Sequence, residues 1–192
     1  MRLWLVRHAQ VLLAPGTCYG ALDVPADLGE SLECARALAA ILPDRATVHT
    51  SPLQRCEQLT HALIGLRPDL LYKTDTRLQE MNFGAWEGRP WTDIPLDEFE
   101  VWTANFADHA VGGHGDSVGV LMTRVAQAFD ELPRAQDTVW ITHAGIIRAA
   151  ELVASGVRQV SRADQWPQDG VACGQWRTLE LSLDNPIAQA NR

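Results

Sequence analysis

The chain has no apolar run long enough to span a bilayer, and the one at its start is too short for a secretory signal. It also lacks a basic excess: 16 Lys and Arg stand against 24 Asp and Glu, a net charge of −8 with histidine neutral. Sequence-independent binding to nucleic acid or to an anionic membrane needs a basic surface, so this balance argues against both partners. A small anionic substrate remains open to it, because a few arginines focus positive potential locally. The four cysteines, Cys18, Cys34, Cys56 and Cys173, form no C-x-x-C pair, and no histidine stands at zinc-finger spacing from them. They read as reduced, unpaired thiols in a cytoplasmic protein. No internal repeat, low-complexity tract or long linker divides the 192 residues, which are expected to form one domain, 1–192.

Short apolar runs and helical stripes alternate along the chain. Leu3-Trp4-Leu5-Val6 reads as a buried strand that ends on Arg7 and His8. A Gly/Pro loop follows, Ala14 to Pro25, then a helix marked by Leu32, Ala35, Leu38, Ala39 and Leu42 and closed by Pro43. Val48 lies in a strand ending at Thr50-Ser51-Pro52, with a helix expected from Leu53 to Ile64, and Leu70-Leu71-Tyr72 is another short strand. From Glu80 to about Phe106 the chain is aromatic and reads as irregular. Val118, Leu121, Met122, Val125 and Phe129 form a helical stripe with Asp116 as its expected cap. Thr138 to Thr142 is a buried strand leading to a helix from Ile146 to Ala154, and Trp176 to Leu183 alternates as a half-exposed strand. Strands alternating with helices predict an α/β fold with a mostly parallel sheet.

Three strand-to-helix junctions carry polar residues of one chemical theme: Arg7 with His8, Ser51 with Arg55, and Thr142 with His143. If the strands run parallel, these junctions share the carboxyl edge of the sheet, beside helix amino ends that favour anions. Two arginines, two histidines and helix dipoles make a phosphate pocket without a metal-ligand set. Each residue also has an ordinary reading. Arg55 suits a solvated helix face, His143 a structural hydrogen bond, Glu80 a surface loop, and the seven tryptophans the core.

These residues resemble the histidine phosphatase superfamily, also called phosphoglycerate mutase-like. Leu5-Val6-Arg7-His8 is similar to its opening signature and Ser51-Pro52-Leu53-Gln54-Arg55 to its second motif. Leu78 to Gly88 resembles the segment carrying its general acid, and Thr142 to Arg148 its last motif. The resemblance covers most of the chain in the family's order and implies a three-layer α/β/α sandwich with helices on both faces. It assigns His8 as nucleophile through a phosphohistidine, Glu80 as general acid/base, and Arg7, Arg55 and His143 as phosphate ligands. His143 is expected to donate a hydrogen bond to the phosphoryl group. No metal or cofactor is implied.

Within that family, the loop from Ala14 to Pro25 and the run Phe83 to Gly88 with Trp91 look most like α-ribazole phosphatases. The Arg- and Tyr-rich insertion typical of the family's mutases is not found. Gln10, Tyr19, Trp86 and Ser117 are the expected substrate rim, with a lid or insert over 81–117. Three departures stand out: Ala9 in place of glycine, Gln10 near a missing asparagine, and Gly112 to Ser117, two residues longer than Gly-Gly-Glu-Ser. The expected activity is a phosphomonoesterase for a small phosphorylated substrate, with α-ribazole 5′-phosphate favoured. The alternatives are a broad-specificity phosphatase of the family, a non-catalytic phosphate-binding module, or a phosphoglycerate mutase. A homodimer is left open.

Overall fold

The first strand, β1 (Arg2–Arg7), divides its side chains between two cores, Leu3 and Leu5 on one side and Trp4 and Val6 on the other. That is the period of two of a strand covered on both faces. The computed structural model describes residues 1–133 and 135–181, and the remaining elements build outward from this strand. They are α1 (Leu28–Ile41), β2 (Thr47–Thr50), α2 (Gln54–Leu66), β3 (Leu71–Thr74), α3 (Leu96–Ala104), α4 (Val118–Asp130), β4 (Thr138–Thr142), α5 (Ala144–Ala154) and β5 (Trp176–Glu180).

The sheet order is β3-β2-β4-β1-β5. β1, β2, β3 and β4 run parallel, and β5 closes the β1 edge antiparallel. Leu38, Leu59 and Leu63 of α1 and α2 pack on Trp4, Val6, Val139 and Ile141. Leu121, Val125, Ile146 and Val153 of α4 and α5 pack on Leu3, Leu5 and Trp140 from the other side. The result is the expected three-layer α/β/α sandwich, each face covered by a pair of helices. Among the described residues no helix is long and apolar enough to cross a membrane.

The central strand β4 aligns the three junctions. Pairing continues past the strand ends, with His8 N–H donating to Thr142 O at 3.1 Å and Ser51 N–H to Ile141 O at 3.0 Å. His8, Ser51 and His143 therefore leave the sheet side by side at its carboxyl edge.

Several elements differ from the sequence expectation. α2 is shifted to Gln54–Leu66, and α5 opens at Ala144, two residues before the expected Ile146. α4 is capped by Ser117, whose side chain accepts from Val120 N, and not by Asp116. The stretch read as irregular contains α3. Its apolar pattern is masked because Leu96 is 73% and Val101 52% exposed, so the stripe that periodicity detects is incomplete. β5 ends at Glu180, and Ser182 and Leu183 of the expected strand lie outside the described residues.

Candidate active site

His8 is buried, and its Nδ1 lies 2.7 Å from the carbonyl oxygen of Ala9. A carbonyl only accepts, so Nδ1 carries the proton and Nε2 keeps its lone pair. Burial pushes the imidazole pKa down to about 3, with Arg55 and then Arg7 adding to the effect against the opposing bond to Ala9. The side chain is a neutral imidazole with one free nitrogen. The alanine after it needs no glycine backbone, because Arg45 is the one non-glycine with positive φ among the described residues.

Arg55, the second residue of α2, is fully buried. Its Nε donates to His143 Nδ1 at 3.2 Å, Nη1 to Leu22 O at 2.8 Å and Nη2 to Gly20 O at 2.6 Å. Three of its five N–H donors are thereby used. Because Nδ1 of His143 accepts, its proton sits on Nε2, 2.8 Å from Ser51 Oγ. Both ring nitrogens of His143 thus have protein partners, where a free donor was expected. Burial and then Arg55 hold its pKa well below the usual histidine value. The His8 and His143 rings are 5.2 Å apart.

The loop that receives Arg55 is held from its other side by Glu87. That carboxylate accepts from the N–H groups of Gly20, Ala21, Leu22 and Phe83 at 2.8–3.0 Å. The peptides of residues 20–22 are therefore clamped between an anion on their N–H side and a cation on their carbonyl side. Gly20 is required there, since a Cβ would stand 1.9 Å from Met81 O. Tyr19, in the same loop, sets its ring edge-on to His8 at 6.3 Å and 5.3 Å from the Arg55 guanidinium carbon. Arg7 donates through Nη1 to Val171 O at 2.8 Å, while its buried Nε has no partner.

Glu80 reaches the site from the segment after β3. Its Oε2 accepts from Gly145 N–H at 2.9 Å, in the first turn of α5, and its Oε1 from Met81 N–H at 3.0 Å. Arg124 of α4 donates to the carbonyls of Arg77, Gln79 and Glu80 and lies 3.6 Å from Asp116. This cradle was not anticipated. An arginine on an amphipathic helix reads as a solvated charge until the loop beneath it is placed.

The structure brings His8, Arg7, Arg55, Glu80, His143 and Tyr19 to one edge of the sheet, and gives Trp86 and Ser117 of the expected rim structural roles instead. Trp86 is 1% exposed, stacked on Phe99 at 5.0 Å with Trp91 and Trp102 against it, so it belongs to the core. Ser117 is a helix cap. Gln10 is exposed, its side chain 3.5 Å from Val11 O. The Gly112–Ser117 stretch packs backbone against backbone on residues 82–85. A Cβ on Gly112 would meet Phe83 O at 2.3 Å, and one on Gly115 would meet Asn82 O at 2.3 Å. Among the described residues no three His, Cys, Asp or Glu are grouped to hold a metal.

Fold and junctions together define the phosphoglycerate mutase-like class of α/β proteins. The chain belongs to the histidine phosphatase superfamily (branch 1), whose family model matches residues 3–176 and whose members are phosphatases or mutases. It is 25% identical over 154 residues to the adenosylcobalamin/α-ribazole phosphatase of Escherichia coli, covering 77% of this chain and 75% of that protein. It is 30% identical over 153 residues to a probable phosphoglycerate mutase of Yersinia enterocolitica, covering 74% and 69%. A Thermus thermophilus structure matches with TM-score 0.69 and 25% identity over 94% of each chain. A mycobacterial glucosyl-3-phosphoglycerate phosphatase shares the fold, with TM-score 0.75 and 21% identity over 96% of this chain and 92% of that one.

Proposed function

We propose that the chain is a metal-independent phosphomonoesterase that forms a phosphohistidine on His8, with α-ribazole 5′-phosphate as substrate. The observation that carries the chemistry is the His8–Ala9 bond, which leaves a neutral imidazole with a free Nε2 beside two arginines. In the first step the Nε2 lone pair forms the N–P bond as the P–O bond of the ester breaks, and Glu80 protonates the departing oxygen. In the second, water attacks phosphorus, Glu80 takes its proton, and the N–P bond breaks to release inorganic phosphate. The unpartnered Nε of Arg7 and the two unused N–H groups of Arg55 are donors for the phosphoryl oxygens. His143 acts through Arg55, orienting that guanidinium by accepting from its Nε.

The E. coli relative's name and the resemblance of the 14–25 loop support the substrate. The Yersinia relative favours a second reading, a mutase, which would require a bisphosphate primer to start turnover. The test is hydrolysis of p-nitrophenyl phosphate in excess EDTA, followed by a panel of α-ribazole phosphate, phosphoglycerates and sugar phosphates. Turnover persisting in EDTA and lost in His8→Ala supports the phosphatase. Loss in EDTA, or turnover in His8→Ala, contradicts it.

A further inference from the structure

Beside Glu80 opens a cavity of about 290 Å³ walled by Phe83, Trp102, Phe106 and Trp166. Arg148 of α5, one turn beyond the Gly145 N–H that holds Glu80, lines the same cavity. Its Nε is buried without a partner. The backbone of Gly170 lies over that guanidinium so closely that a Cβ there would stand 2.7 Å from Nη2. A confined, unpaired donor is uncommon in a protein interior and requires a reason.

We propose that this cavity receives the leaving group, and that the leaving group carries a planar heteroaromatic ring whose edge offers a hydrogen-bond acceptor to Arg148. This rests on the phosphomonoesterase reading. Glu80 forms one boundary of the cavity, so an ester oxygen protonated by that carboxylate has its organic substituent at the cavity mouth. Aromatic walls favour a flat ring through stacking and edge contacts. The volume is at the lower limit for small-ligand pockets, roughly 300 Å³, which suits one ring system and not a dinucleotide. Every nitrogen of arginine is a donor, so the complementary group on the ring is an acceptor. The recognition expected of Trp86 thus passes to residues further along the chain.

The experiment compares kcat/KM for a benzimidazole riboside 5′-phosphate, 3-phosphoglycerate and glycerol 2-phosphate in the wild type and Arg148→Met. The ratio of the nucleotide to glycerol phosphate should fall about tenfold or more, the loss of a hydrogen bond to a charged group. Partial unfolding lowers both rates together and leaves the ratio alone. A ratio held within twofold overturns the proposal, as does a larger loss on 3-phosphoglycerate, which would mean that Arg148 reads a carboxylate. Should Arg148→Met not fold, Trp166→Leu must lower the same ratio. If the wild type cleaves none of the three esters, the phosphomonoesterase reading fails, and calorimetric binding of the unphosphorylated benzimidazole riboside judges the cavity. Saturable binding supports the ring site and absence of heat overturns it.

Discussion

The Glu80 carboxylate lies directly against the backbone of Gly145: Oε2 is 2.9 Å from the Gly145 nitrogen, and Oε1 is 2.4 Å from where a Cβ on Gly145 would be. Only a residue without a side chain admits the carboxylate at this point. The contact places a negative charge at the amino end of α5, where free N–H groups and the helix dipole favour it. One glycine therefore couples the helix following His143 to the carboxylate proposed to handle protons.

Gly145→Ala should displace that carboxylate while leaving the fold intact, since alanine suits a helix better than glycine. A misplacement of about 1 Å costs on the order of 100-fold in rate. Steady-state kinetics on an alkyl phosphate should show a kcat loss of roughly that size, with thermal unfolding shifted by only a few degrees. Full activity would mean that Glu80 does not need this position.

Glu80→Gln separates proton donation from phosphoryl transfer. Alkyl phosphates need their leaving oxygen protonated, so their kcat should fall by about 10²–10⁴. Nitrophenolate departs without that help, so p-nitrophenyl phosphate should suffer far less. Equal losses on both substrates would remove Glu80 from the proton-transfer role.

Arg124 is the positioning residue for Glu80, because it bonds the carbonyls on which that segment rests. Arg124→Met should destabilise the protein by about 1–3 kcal/mol by leaving those carbonyls unpaired. On alkyl phosphates it should lower kcat while KM holds, with Arg124→Lys recovering part of the loss. A rise in KM with kcat unchanged would place Arg124 in ground-state binding instead.

Much of this site was legible in the sequence because it is local. Arg7-His8, Ser51 to Arg55 and Thr142-His143 each sit where an apolar run ends and a helix begins, and parallel pairing through β4 brings them together. What was not legible depends on contacts between distant segments. The Glu87 clamp spans more than 60 residues and the Arg124 cradle more than 40, and neither leaves a mark on periodicity. Trp86 went to the core against Phe99 and Trp102 of α3, Trp166 went to the cavity beside Phe106, and α3 itself was hidden by its exposed Leu96 and Val101. The 112–117 stretch falls within the lid or insert expected over 81–117. Gly112 and Gly115 serve close backbone approach, which only the folded chain displays.

Acid should weaken the fold through its buried histidines. His8 has a folded pKa of about 3 against 6.5 in the unfolded chain. Between those values the unfolded state binds a proton that the native state does not, so stability is retained above pH 6.5 and falls as pH drops toward 3. The loss from this residue is about 1.4 kcal/mol per pH unit. Urea unfolding between pH 6.5 and 4.5 should show His8→Asn less acid-sensitive than wild type by about that slope. Parallel curves would mean that His8 is protonated in the native state.

The proposed reaction turns on a covalent bond between phosphorus and His8. Rapid quenching of the enzyme during turnover of a ³²P-labelled phosphate ester measures it directly. The expected result is a labelled protein, stable in base and labile in acid, that is absent from His8→Ala. A label stable in acid, or one that persists in His8→Ala, would contradict the account.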